Sequence, residues 1–134
     1  MKTDIQIKTD LFPAYLDEEN EINPGRFGKK LAEFIKKNLE ENGVQVADLY
    51  PTDYAYEIRL DQFKFSVYIS AGNIDGETDL FLVSLEPRKE FIRKFFKKIP
   101  TVETIEPIYN LMMDSFRGNS DIQIIEILTK YNTT

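Results

Sequence analysis

Residues 54–69, YAYEIRLDQFKFSVYI, decide the fold class, because apolar side chains occupy alternate positions along most of the stretch. Every second residue is apolar from position 54 to 60 and again from 63 to 69. This period of two is typical of strands with one buried and one solvated face. Asp61-Gln62 lies between the two halves and predicts a tight reversal, so we expect an antiparallel hairpin here.

Three further segments predict helices. Asn23-Pro24 is typical of a helix start, apolar residues follow at helical spacing up to position 39, and Gly43 ends the segment. Pro87 opens a second helix that runs to position 99, just before Pro100. Thr101 caps a third helix, which ends at residues 117–119.

The remaining apolar segments predict strands. Residues 4–8 suit an edge strand, residues 44–50 a second strand, residues 79–86 a central strand, and residues 122–128 the last strand. The order is β-α-β-β-β-β-α-α-β. We therefore expect a single α+β domain, residues 1–134, with a mainly antiparallel sheet and three helices packed on one face. If the strand at residues 4–8 or the last strand lies at an edge of the sheet, it could pair with a second copy of the chain, so a homodimer is one alternative.

Composition argues against an enzyme. The chain has neither His nor Cys, which removes His-based catalysis, thiol nucleophiles and thiolate metal sites. It also lacks the glycine-rich motifs that hold phosphates, so we expect no cofactor. The absence of Cys fits a reducing compartment and predicts a cytoplasmic protein. No apolar run approaches the length of a membrane span, and we expect no signal peptide.

Carboxylates leave one enzymatic alternative open. The loop acids Asp75, Glu77 and Asp79 alternate, as ligands of a hard cation would, but the pattern lacks the later Glu of an EF-hand loop. Further acids that could pair for acid–base chemistry are Asp48, Asp53, Glu57 and Asp61. We interpret both groups as solvated surface acids and predict no metal site.

The charge distribution is uneven. The net charge is −6, which makes nucleic acid an unlikely partner in general, yet residues 88–98 carry six basic residues against one acid. As an amphipathic helix, this segment would present a basic face to an acidic protein, RNA or an anionic lipid surface. A docking or regulatory module is therefore one hypothesis, with the basic face Arg88, Lys89, Arg93, Lys94, Lys97 and Lys98.

Acidic residues form the other candidate surface. They cluster before the first helix and on the polar face of the hairpin, and we refer to them as the acidic set: Asp17, Glu18, Glu19, Glu21, Asp53, Glu57 and Asp61. Such a surface steers a basic partner electrostatically. The leading hypothesis is a non-enzymatic, inhibitor-like protein that sequesters a basic protein.

The run NPGRFGKKLAEF at residues 23–34, together with Glu86-Pro87, resembles a group of small bacterial proteins of uncharacterised function. That resemblance implies no activity. As a small acidic α+β domain without active-site residues, the chain is also similar in type to the immunity proteins that neutralise bacterial toxins. This similarity implies that the basic partner is a toxin.

Overall fold

A computed structural model describes residues 1–129. Within them the chain forms two α-helices, eight strands and one short 3-10 helix at Glu18–Asn20. The helices are α1 (Lys29–Glu41) and α2 (Val102–Arg117). The strands are β1 (Asp4–Lys8), β2 (Asp48–Pro51), β3 (Tyr56–Leu60), β4 (Val67–Asn73), β5 (Leu80–Glu86), β6 (Phe91–Lys94), β7 (Lys97–Pro100) and β8 (Gln123–Leu128).

Six strands form one antiparallel sheet in the order β2-β3-β4-β5-β1-β8, and β6 pairs only with β7. The predicted hairpin is present, although its connection spans residues 61–66 because the register pairs Leu60 with Val67. The α+β class and the antiparallel sheet are thus confirmed. The predicted strand order is wrong, because two further strands lie between β5 and α2.

Both helices pack on the same face of the sheet and cover its apolar residues. Alternate positions of β3, such as Ile58, are fully buried, as the period of two requires. Helix α1 presents Leu31, Ile35 and Leu39 to this core. Helix α2 adds a second apolar stripe that includes Phe116. On the opposite face, β3 and β4 carry polar residues such as Glu57 and Ser70.

The predicted helix at residues 87–99 is wrong, and the count of three helices falls with it. Residues 91–100 form the β6–β7 hairpin, whose register pairs Ile92 with Ile99. Both isoleucines pack against the main core, so tertiary packing overrides the helical spacing of the apolar residues. The helix beginning at Thr101 exists, but the Thr101 hydroxyl donates to the carbonyls of Lys89 and Glu90 instead of capping α2.

Two element boundaries also differ from expectation. Helix α1 begins at Lys29, because residues 23–28 run beside the end of β4, where Asn73 bonds the backbone of residues 25 and 27. Gly28 lies so close to β4 that a Cβ there would stand 2.4 Å from the carbonyl oxygen of Ala71. Strand β1 is not an edge strand, since it pairs with β5 on one side and β8 on the other.

Candidate functional site

The β6–β7 hairpin, residues 91–100, is the most unusual surface feature of the chain, and we call it the basic hairpin. Its strands are connected by Phe95-Phe96, and the adjacent pairs are Lys94 with Lys97 and Arg93 with Lys98. Like charges therefore lie directly opposite each other twice in succession, an arrangement that destabilises a strand pair.

The two connecting residues form the tip of the basic hairpin. Phe95 is 86% exposed and Phe96 is fully exposed. Both have positive φ angles, 51° and 65°, as a two-residue hairpin turn with the type I′ twist requires. Asn and Gly favour these angles, whereas a bulky side chain is strained by them at a cost of about 1 kcal/mol or more. The tip thus combines backbone strain with exposed aromatic surface.

The charges beside the tip have no carboxylate partner in the part of the chain that the structure describes. Within residues 1–129, no carboxylate lies within 4.0 Å of the side-chain nitrogens of Arg93, Lys94, Lys97 or Lys98. The Lys98 ammonium lies 4.2 Å from the ring centroid of Phe91. These four cations are therefore available to an external anion.

The base of the basic hairpin is held firmly. Ile92 and Ile99 are partly buried against the core, and the Thr101 N–H donates to the Glu90 carbonyl at 3.0 Å. Lys94 also donates to the Lys64 carbonyl, at 3.2 Å, in the connection between β3 and β4. The tip is consequently displayed from a fixed platform.

Arg88 belongs to a different environment from the hairpin cations. Its guanidinium lies 3.3 Å from Asp4 and 3.5 Å from Glu86, on the polar face of the sheet. The Asp4 side chain is fully buried and also accepts a bond from Ser84. Of the six basic residues predicted as one face, the structure groups four on the hairpin, assigns Arg88 to Asp4, and leaves Lys89 at the base.

Glu18, a member of the acidic set, caps helix α1. Its side chain is buried, and one carboxylate oxygen accepts from the N–H groups of Gly28 (2.7 Å) and Lys29 (3.1 Å). The other oxygen accepts from the Tyr15 N–H at 2.9 Å. No side chain within α1's own start caps the helix, so this carboxylate, ten residues upstream, satisfies its first donors.

Two other members of the acidic set bind tyrosine hydroxyls. Tyr56 donates to Glu21, and this bond, followed by the nearby ammonium of Lys29, lowers the pKa of Glu21. Tyr50 donates to Glu57 across adjacent strands, and burial together with that carboxylate raises the pKa of Tyr50 to about 12. Both carboxylates are therefore engaged within the fold.

The last four members of the acidic set divide into two groups. Asp61 bonds Arg59 and Ser66, and Glu19 accepts from the Gly25 N–H. Asp17 and Asp53 are exposed. The set is thus spread over several elements, and five of its seven carboxylates accept bonds from residues within the described part of the chain.

The acids considered for a metal loop and for acid–base chemistry lie beside basic residues in two cases. Asp79 lies 3.9 Å from Lys8, and Asp48 lies 3.9 Å from Arg59. In the described part of the chain, no three His, Cys, Asp or Glu side chains are grouped so that they could hold a metal ion.

The sequence predicted a basic face in this segment, on a helix, but not the aromatic tip. The helix predicted over residues 87–99 contains no turn at Phe95-Phe96. The one signal for a turn was that Phe95-Phe96 is flanked on each side by two basic residues. In a hairpin this pattern places like charges on facing strands. Without Asn or Gly between them, nothing local announces a turn.

Comparisons with protein-family models, with curated proteins and with solved structures found no match. Among residues 1–129, no helix has both the length and the apolar character needed to cross a membrane.

Proposed function

We propose that this chain is a non-enzymatic docking module that binds an anionic partner through the basic hairpin. The observation that carries the proposal is the exposed, strained Phe95-Phe96 tip, flanked by four cations that have no carboxylate partner among residues 1–129. Strain and exposed apolar surface persist in proteins where a function requires them. Neither feature contributes to the stability of this fold.

The acidic set gives weaker support to the alternative, sequestration of a basic partner such as a toxin. Glu18, Glu21 and Glu57 already accept hydrogen bonds from buried or half-buried donors of this chain. A partner would have to compete with those bonds. Among the described residues the hairpin cations compete only with weaker contacts, that of Lys94 with the Lys64 carbonyl and that of Lys98 with the Phe91 ring, so the anionic partner is the better supported of the two.

The test measures binding to three anionic probes: phosphatidylglycerol-containing vesicles, single-stranded oligouridylate and polyglutamate. We compare the parent protein with Lys97→Gln/Lys98→Gln and with the control Lys36→Gln/Lys37→Gln, which removes the same charge from α1. The proposal predicts that at least one probe binds, that binding weakens with salt, and that only the hairpin variant loses affinity. Equal losses in the two variants, or no binding to any probe, would contradict it.

A further inference from the structure

We infer that the anionic partner is a lipid bilayer surface, into which the Phe95-Phe96 tip inserts while the hairpin cations contact the headgroups. This inference rests on the proposed function and specifies its partner. The inference rests on the order of surfaces from the tip of the hairpin to its base: the aromatic tip, then the four cations, then the base that is anchored to the core.

The spacing of these layers matches an anionic interface. A strand rises about 3.4 Å per residue. Lys94 and Lys97 therefore lie about 3.4 Å behind the two tip residues, and Arg93 and Lys98 lie about 7 Å behind them. Interfacial segments bury their apolar side chains about 5–10 Å into the boundary between headgroups and acyl chains. Insertion of the tip to that depth places all four cations at the level of the phosphates.

The backbone also tolerates shallow insertion. The strand residues behind the tip pair with each other, so their inward-facing backbone groups enter the interface already bonded. The long stems of lysine and arginine allow their charged ends to remain at the headgroups while the hairpin descends.

Charge elsewhere on the chain orients the molecule. The hairpin carries four positive charges and no acid, although the whole chain has a net charge of −6. An anionic membrane therefore attracts the hairpin end and repels the remainder. An RNA partner would instead gain only four nearby phosphate contacts against an otherwise acidic surface, which is why we favour lipid.

The experiment uses the absence of tryptophan from the chain. Phe95→Trp supplies a single fluorescent reporter at the tip, and Tyr54→Trp supplies a matched reporter at an exposed position outside the hairpin. Vesicles contain phosphatidylcholine alone or phosphatidylcholine with about one-third phosphatidylglycerol. We expect a blue shift, and quenching by brominated acyl chains, only for the tip reporter and only with anionic vesicles.

Two variants supply magnitudes. Each basic residue near an anionic surface contributes about 1 kcal/mol, so Lys97→Gln/Lys98→Gln should weaken partitioning about thirtyfold. Phe95→Asn/Phe96→Gly should weaken it by at least a hundredfold, because two buried aromatic rings are lost. Thermal melts would check that both variants remain folded.

The outcomes separate the inference from the proposed function. If oligouridylate or polyglutamate binds through the hairpin cations while the tip reporter shows no shift with anionic vesicles, the lipid inference is overturned and the docking function stands. If no probe binds, both are overturned. If the tip reporter shifts equally with neutral vesicles, charge selection is absent and the inference fails.

Discussion

Replacing Glu18 with alanine should remove a large part of the free energy of unfolding of this protein. The Glu18 carboxylate accepts three backbone N–H groups, at 2.7, 2.9 and 3.1 Å, and two of them belong to the start of α1. A hydrogen bond to a charged group contributes about 1.5–3 kcal/mol. Because the variant no longer incurs the free-energy cost of burying a carboxylate, part of this contribution is offset, and we expect a net loss of about 3–5 kcal/mol.

The assay is urea unfolding at pH 7, followed by circular dichroism. With an m-value of about 1.5 kcal/mol per molar, typical for a small domain, the midpoint should fall by about 2–3 M. Glu18→Gln keeps one acceptor oxygen and should lose about half as much. Glu41→Ala is the matched control, since it removes the same charge from an exposed pair with Lys37 and should cost under about 0.5 kcal/mol.

A Glu18→Ala midpoint no lower than that of Glu41→Ala would refute the reasoning, because α1 would then not depend on this cap. The result also bears on function. Glu18 was predicted as a partner-binding residue, and a loss of binding in its variants would reflect the loss of the fold unless the midpoint were unchanged.

Three further predictions concern other parts of the molecule. Asn73→Asp should lower the free energy of unfolding by about 2–4 kcal/mol, measured in urea, because its amide donates to two carbonyls that a carboxylate would repel. Phe95→Asn/Phe96→Gly should raise the melting temperature by several degrees, since it gives the turn the residues that its positive φ angles favour; an unchanged or lower value would contradict the strain. Glu21→Gln should flatten the pH dependence of stability. Because the pKa of Glu21 is lowered in the folded protein, its contribution is complete above about pH 4.5 and is lost as the pH falls through the folded pKa. The free energies of unfolding at pH 6 and pH 3.5 should therefore differ less in the variant than in the parent protein, and an identical difference would refute this role.

Local pattern was sufficient where packing and propensity agree. Strands β3 and β4 follow from the alternation in residues 54–69, and α1 from its apolar stripe. Gly43, with a φ of 82°, lies just beyond the C-cap of α1, which is the role that its position in the sequence predicted. In each case the local segment predicts the type of element, although the bounds of β4 and the start of α1 differ from the prediction.

Local pattern failed where contacts with distant residues determine the secondary structure. The start of α1 depends on Glu18 from upstream and on Asn73 from β4, which holds residues 25–28 outside the helix. The basic hairpin depends on Ile92 and Ile99 packing on a core that the local sequence does not contain. For the same reason the structural roles of Glu21 and Glu57 were not predictable, because their tyrosine partners become neighbours only through the fold.

The backbone itself distinguishes the tip from the other turns. Four described residues other than glycine have positive φ, namely Asp17, Asp75, Phe95 and Phe96. Aspartate tolerates this region because its short polar side chain bonds locally, whereas phenylalanine gains nothing there. Among the described residues, the strain carried by bulky side chains is therefore confined to the place where exposed aromatic surface adjoins four cations that lack a carboxylate partner there. A docking tip predicts that stability and binding change in opposite directions when the two phenylalanines are replaced, and simple misfolding cannot produce that combination.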